Sequence, residues 1–109
     1  MRRRLSALLL AALATVAVAS PAKAITSLEM VCESGGSLYY CTVYHDAIAP
    51  ATVRWYINDR LVSGLNDRNS ITNRTCPRGA IIKVEAVVTD VTGSMSVVGG
   101  PYCHGGPWP

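Results

Sequence analysis

Apolar and polar residues change places at every step along much of this chain. Tyr39, Cys41 and Val43 alternate with Tyr40, Thr42 and Tyr44. Val53, Trp55 and Ile57 alternate with Arg54, Tyr56 and Asn58, and Ile82, Val84, Ala86 and Val88 with Lys83, Glu85, Val87 and Thr89. A period of two sends successive side chains to opposite faces of a pleated strand, so one face of each segment is built to be buried. The pattern predicts strands over 27–33, 37–45, 52–58, 60–63, 70–75, 80–89 and 94–102. Turn chemistry falls between them: Ser34-Gly35-Gly36-Ser37, Ala49-Pro50, Asn58-Asp59, Cys76-Pro77-Arg78-Gly79 and Asp90-Val91-Thr92-Gly93. Seven short strands at regular spacing point to an all-β antiparallel sandwich. Residues 64–69 read as an exposed polar loop, and 104–109 as a tail too rich in Gly and Pro for a strand.

The first residues follow another rule. Met1-Arg2-Arg3-Arg4 is basic, the run from Leu5 to Ala19 is apolar or small, and Ala22-Lys23-Ala24 has the small-x-small form of a cleavage site. Together they predict a signal peptide over 1–24, cut before Ile25. The run is shorter than the roughly 20 residues of a spanning helix. No cysteine stands at the cut to carry a lipid. The expected product is a secreted, extracellular domain, 25–103, with no membrane anchor after cleavage.

That segment also changes the charge. The precursor carries +3, but Arg2, Arg3, Arg4 and Lys23 lie in the predicted signal. The remainder has six cations against seven anions, a net charge of −1. A nucleic-acid footprint needs cations gathered on one face, and here the signs alternate along the chain, so no nucleic-acid partner is expected. All four cysteines, Cys32, Cys41, Cys76 and Cys103, lie in the exported part. An even number in a short exported chain reads as a disulfide framework. Zinc sites bring close pairs, whereas the spacings here are 9, 35 and 27 residues. Neither a metal nor any other cofactor is expected.

Catalytic constellations are not legible. His45 and Asp46 are neighbours on a strand and face opposite ways, the serines lack a nucleophile-elbow context, and the carboxylates are scattered. Trp55 reads as core. Tyr40, Tyr44 and Tyr56 fall on the opposite parity from the inward residues of their strands. Facing out together, and joined by Trp108 of the tail, they would form a candidate recognition surface, since tyrosine and tryptophan suit interfaces.

Cys41, a strand tryptophan fourteen residues later at Trp55, the run Tyr56-Ile57-Asn58-Asp59-Arg60-Leu61-Val62 and the hairpin Val84 to Gly93 resemble an immunoglobulin-like sandwich. The likeness covers most of 27–103 and is to small secreted immunoglobulin-like proteins of actinobacterial type. It departs where the sixth strand carries Val84, Ala86 and Val88 in place of the partner cysteine, with Cys76 just ahead of it. On an immunoglobulin-like strand order the four cysteines gather toward one end, and three pairings are open. A two-residue turn at Gly36-Ser37 would set Cys32 opposite Cys41 and permit a local bridge. The expected scheme is instead Cys41–Cys76 with Cys32–Cys103, which closes the longer loops and pins the outer strands.

A fold does not carry a function. The expectation is a secreted binding or interaction module, not an enzyme, whose partner is an extracellular protein or a glycan. Two rivals stand beside it. One is a protease inhibitor presenting 64–69 or 77–79, with Arg78 entering a trypsin-like pocket. The other is an accessory carbohydrate-binding domain, which needs aromatics in a planar row.

Overall fold

The computed structural model describes residues 24–108; the predicted signal peptide, apart from Ala24, lies outside them, as does Pro109. Among the described residues seven strands form: β1 (Leu28–Gly35), β2 (Leu38–His45), β3 (Thr52–Ile57), β4 (Arg60–Leu61), β5 (Ser70–Thr75), β6 (Val84–Asp90) and β7 (Gly93–Gly99). They make an antiparallel β-sandwich, with a three-stranded sheet ordered β1-β2-β5 and a four-stranded sheet ordered β4-β3-β6-β7. Among the described residues no helix is long and apolar enough to cross a membrane.

The alternating residues meet between the sheets. Tyr39, Cys41 and Val43 from β2, Ile71 from β5, Val53 and Trp55 from β3, and Val84, Ala86 and Val88 from β6 are all buried. Trp55 is fully enclosed, and its indole N–H donates to the Arg68 carbonyl at 2.8 Å. That bond satisfies the polar end of a ring that would otherwise lose its hydrogen bond to water on burial. The loop predicted at 64–69 lies on the surface but is anchored. A 3-10 turn, Ser63–Leu65, opens it, and the Asp67 carboxylate accepts from the Val53 amide at 3.0 Å and the Arg54 guanidinium at 2.8 Å.

Three predicted strands are shortened. The segment expected over 80–89 becomes regular only at Val84, and that expected over 94–102 ends at Gly99. Ile82 still donates to the Pro101 carbonyl at 2.9 Å, but Pro101 has no N–H to return, so the ladder is interrupted there. An isolated bridge, Ile81 with Tyr102, resumes beyond it. The strand expected at 60–63 is only two residues long, because Val62 leads into the 3-10 turn.

The β1–β2 turn consists of Gly36 and Ser37 alone, both at positive φ, 59° and 61°. Two left-handed residues form the turn whose twist matches that of the flanking strands. Glycine tolerates this conformation freely, and Ser37 takes it at a small steric cost. The turn sets Gly35 opposite Leu38 and hence Cys32 opposite Cys41. Counting outward from the turn, the two cysteines fall on a rung without paired hydrogen bonds, where the strands lie closest. Their Cα atoms are 4.0 Å apart, and the disulfide forms across the rung. Cys76 and Cys103 form the second bridge, with Cα atoms 6.0 Å apart. The expected pairing Cys41–Cys76 with Cys32–Cys103 is therefore corrected. Closure of the longer loops does not decide it, because the turn has already placed Cys41 against Cys32.

Buried or anchored carboxylates hold the loops at the opposite end from this turn. Asp90 accepts from the Ile48 and Thr92 amides and the Thr92 hydroxyl. Asp46 accepts from the Thr26 amide and hydroxyl and from the Ser27 amide, and so ties down the segment ahead of β1. The Thr26 hydroxyl, followed by the Ser27 amide, holds the Asp46 carboxyl at about 2, well below its ordinary value near 4.

Mapping peptides without reduction is expected to recover Cys32 linked to Cys41 and Cys76 linked to Cys103. Loop-closure entropy assigns about 2.5 kcal/mol to the first bridge and about 3.5 kcal/mol to the second. Denaturation of the two paired Cys→Ala variants should rank their losses in that order. The depressed Asp46 contributes stability that is present in full above its ordinary value and lost as pH falls from about 4 toward about 2. In Asp46→Asn the acid limb of a plot of urea midpoint against pH is expected to be shallower than in the parent; an unchanged limb would remove Asp46 from the account.

Candidate functional site

The hairpin register that pairs the cysteines also arranges the outside of the three-stranded sheet. Inward residues of β1 and β2 meet at Cys32 and Cys41, so the outward residues meet one rung to either side. Glu33 lies opposite Tyr40, Val31 opposite Thr42, and Glu29 opposite Tyr44. The Tyr40 hydroxyl donates to Glu33 Oε1 at 3.1 Å, and this bond with an anionic neighbour raises the Tyr40 pKa above its ordinary value. Tyr44 is 56% exposed and Val31 49%, so a wet apolar strip runs between the two Glu–Tyr pairs.

The tail completes this surface. Ser34 is buried where β1 ends, and its hydroxyl donates to the Tyr102 carbonyl at 2.6 Å while accepting from the His104 amide at 2.8 Å. The turn amides then take the next carbonyls: Ser37 donates to His104, and Gly36 to Gly106. The chain is thus laid across the hairpin, and Trp108 arrives on Gly35, with its ring 5.7 Å from that of Tyr40 and tilted by 48°. A Cβ at Gly35 would stand 2.8 Å from the Trp108 Cα, so only glycine admits this approach. Trp108 remains 40% exposed. Beyond Glu33 the surface dips into a shallow cavity of about 230 Å³ lined by Cys32, Glu33, Ser34, Pro101, Tyr102 and His104.

Three of the four residues expected to form a recognition surface, Tyr40, Tyr44 and Trp108, lie on this face. Tyr56 does not, and its inclusion is corrected. It points outward, but from β3 of the other sheet, between Leu61 and Glu85, on the opposite side of the sandwich. Parity along a strand separates inside from outside without saying which outside. Glu29, Val31 and Glu33 are the residues that parity alone passed over. The signal for them lay in the turn: once Gly36 and Ser37 are its two residues, Glu33 opposite Tyr40 and Glu29 opposite Tyr44 follow by counting.

Other chemistry-bearing residues have structural engagements. His45 Nδ1 accepts from the Ala47 amide at 3.2 Å, while Asp46 holds Thr26 and Ser27, so the two neighbours serve separate loops. His104 meets the Tyr102 ring edge-on at 4.8 Å. Arg78 sits in a tight turn in which Ala80 donates to the Pro77 carbonyl and Gly79 to that of Cys103. Its guanidinium lies against the backbone of Gly105.

Gly35→Ala is expected to leave the sandwich folded and to lift Trp108 from the hairpin. Because Trp55 stays enclosed, the emission spectrum should gain a solvent-exposed tryptophan component; an unchanged spectrum would show that the tail does not depend on Gly35. Compared with known proteins, the chain matches no family model, no curated protein and no solved structure.

Proposed function

We propose that this chain is an exported immunoglobulin-like binding module that acts by surface contact and not by catalysis. The observation that carries the reading is the group formed by Tyr40, Tyr44 and Trp108, set on a disulfide-braced hairpin and left partly open to water. Rigid aromatic side chains lose little entropy on binding and bring large contact areas, which is why they dominate protein interfaces. The immunoglobulin-like assignment is supported by the strand arrangement. The first, second and fifth strands form one sheet, and the third, sixth and seventh lie together in the other, with a buried tryptophan on the third. Export is supported by the two disulfides, which form and persist in oxidising compartments.

The rival readings draw less support. An inhibitory loop must extend its arginine into a protease pocket, whereas Arg78, although exposed, lays its guanidinium back along the Gly105 backbone. A glycan platform needs coplanar rings, and those of Tyr40 and Trp108 are tilted by 48°.

The test compares the parent protein with the Tyr44→Ala/Trp108→Ala variant as bait for the culture fluid and envelope of the source organism. A partner retained by the parent is expected to bind the variant at least about tenfold more weakly, as loss of aromatic anchors does at interfaces. Equal retention by both proteins, or repeated failure to enrich any partner, would overturn the reading.

A further inference from the structure

We infer that the outer face of the three-stranded sheet takes an extended peptide segment bearing two cationic side chains about 13 Å apart, four residues of strand. The inference rests on the binding role proposed above and names the chemistry of the partner. The face repeats one unit twice. Glu33 stands opposite Tyr40, and Glu29 opposite Tyr44, with Val31 and Thr42 on the rung between them. In each unit a glutamate and a tyrosine occupy facing positions on neighbouring strands, and at Glu33 the carboxylate accepts from the Tyr40 hydroxyl. That pairing suits a lysine or arginine side chain, which is drawn both by the anion and by the negative face of an aromatic ring.

The charge on this face is unopposed. The outward positions of β1 and β2 hold Glu29 and Glu33 and no lysine or arginine, and β5 contributes Ser70 and Thr72. Arg74, the cation of β5, lies past the irregularity at Asn73, opposite the inward-facing Tyr39. A neutral sugar would leave the charge of both carboxylates uncompensated, and an anionic one would be repelled by them. A cationic segment meets both needs at once.

The spacing selects how the segment is laid down. Glu29 and Glu33 are four residues apart on one strand and face the same way. A peptide in the same extended conformation presents its residues i and i+4 at the same interval, with residue i+2 falling over half-exposed Val31. At the Glu33 unit Trp108 adds a second aromatic ring beside Tyr40, and the cavity beside Glu33 gives a long side chain room.

The experiment titrates the disulfide-bonded protein with synthetic peptides of extended, β-branched sequence carrying two lysines. Binding is read by calorimetry and by Trp108 emission. The peptide with lysines at i and i+4 is expected to bind at least tenfold more tightly than its glutamine analogue, and severalfold more tightly than a peptide with lysines at i and i+2. Glu29→Gln/Glu33→Gln should lose that binding at least tenfold with its thermal unfolding unchanged. Failure of the i, i+4 peptide to bind, or equal binding by the Gln variant, overturns the inference. If the bait experiment still yields a partner that depends on Tyr44 and Trp108 while the lysine peptide fails, the binding role stands and only the cationic chemistry is lost. If neither binds, both readings fall.

Discussion

Two left-handed residues, Gly36 and Ser37, set the register on which the candidate site depends. A strand's side chains alternate, so a slip of one residue would turn every side chain of β1 to the other face. With the two-residue turn in place, Cys32 meets Cys41, and the disulfide locks the same register covalently. The outward rungs then carry Glu33 beside Tyr40 and Glu29 beside Tyr44. The turn also leaves the amides of Gly36 and Ser37 free of strand partners, and the tail carbonyls of Gly106 and His104 take them. One local conformation thereby settles the bridge, the charged aromatic face and the path of the tail.

The two sheets are held by a different device. Trp55 fills the space between them and sends its N–H to the Arg68 carbonyl, so the loop after the short β4 strand must close over it. Asp67 reinforces that closure by accepting from the Val53 amide at the start of β3, the strand that carries Trp55. At the far end from the hairpin, Asp90 and Asp46 bind backbone amides of connecting segments. The strand ends of a small sandwich leave many backbone groups unpaired, and buried or anchored carboxylates supply the missing acceptors. The second disulfide, Cys76–Cys103, joins the chain ahead of β6 to the chain beyond β7.

Much of the fold was legible. The period-two pattern located all seven strands, and it separated inward residues such as Val53, Trp55 and Ile57 from outward ones, because burying one face of a sheet demands that alternation. It overran where Pro101 interrupts a ladder, since a missing N–H leaves no trace in hydrophobicity. The candidate site was legible only in part. Tyr40 and Tyr44 share β2, so their parity was enough. Tyr56 has the same parity on a strand of the other sheet, and it points away from them. Glu29 and Glu33 are ordinary surface carboxylates until the register sets each beside a tyrosine.

The amino-acid sequence by itself determined the two-sided character of each strand, the positions of the turns and the presence of four cysteines. These follow from local rules: side-chain alternation, the dihedral freedom of glycine and the chemistry of thiols. The pairing of Cys32 with Cys41 follows from the local turn, whereas tertiary structure alone decided which outer face each tyrosine shares and where Trp108 rests. Those outcomes depend on contacts between residues far apart in the chain, such as Ser34 with His104 and Gly35 with Trp108, which no local pattern encodes. The physical reason is that each is fixed by close approach of two backbones, and such an approach exists only after both sheets have formed.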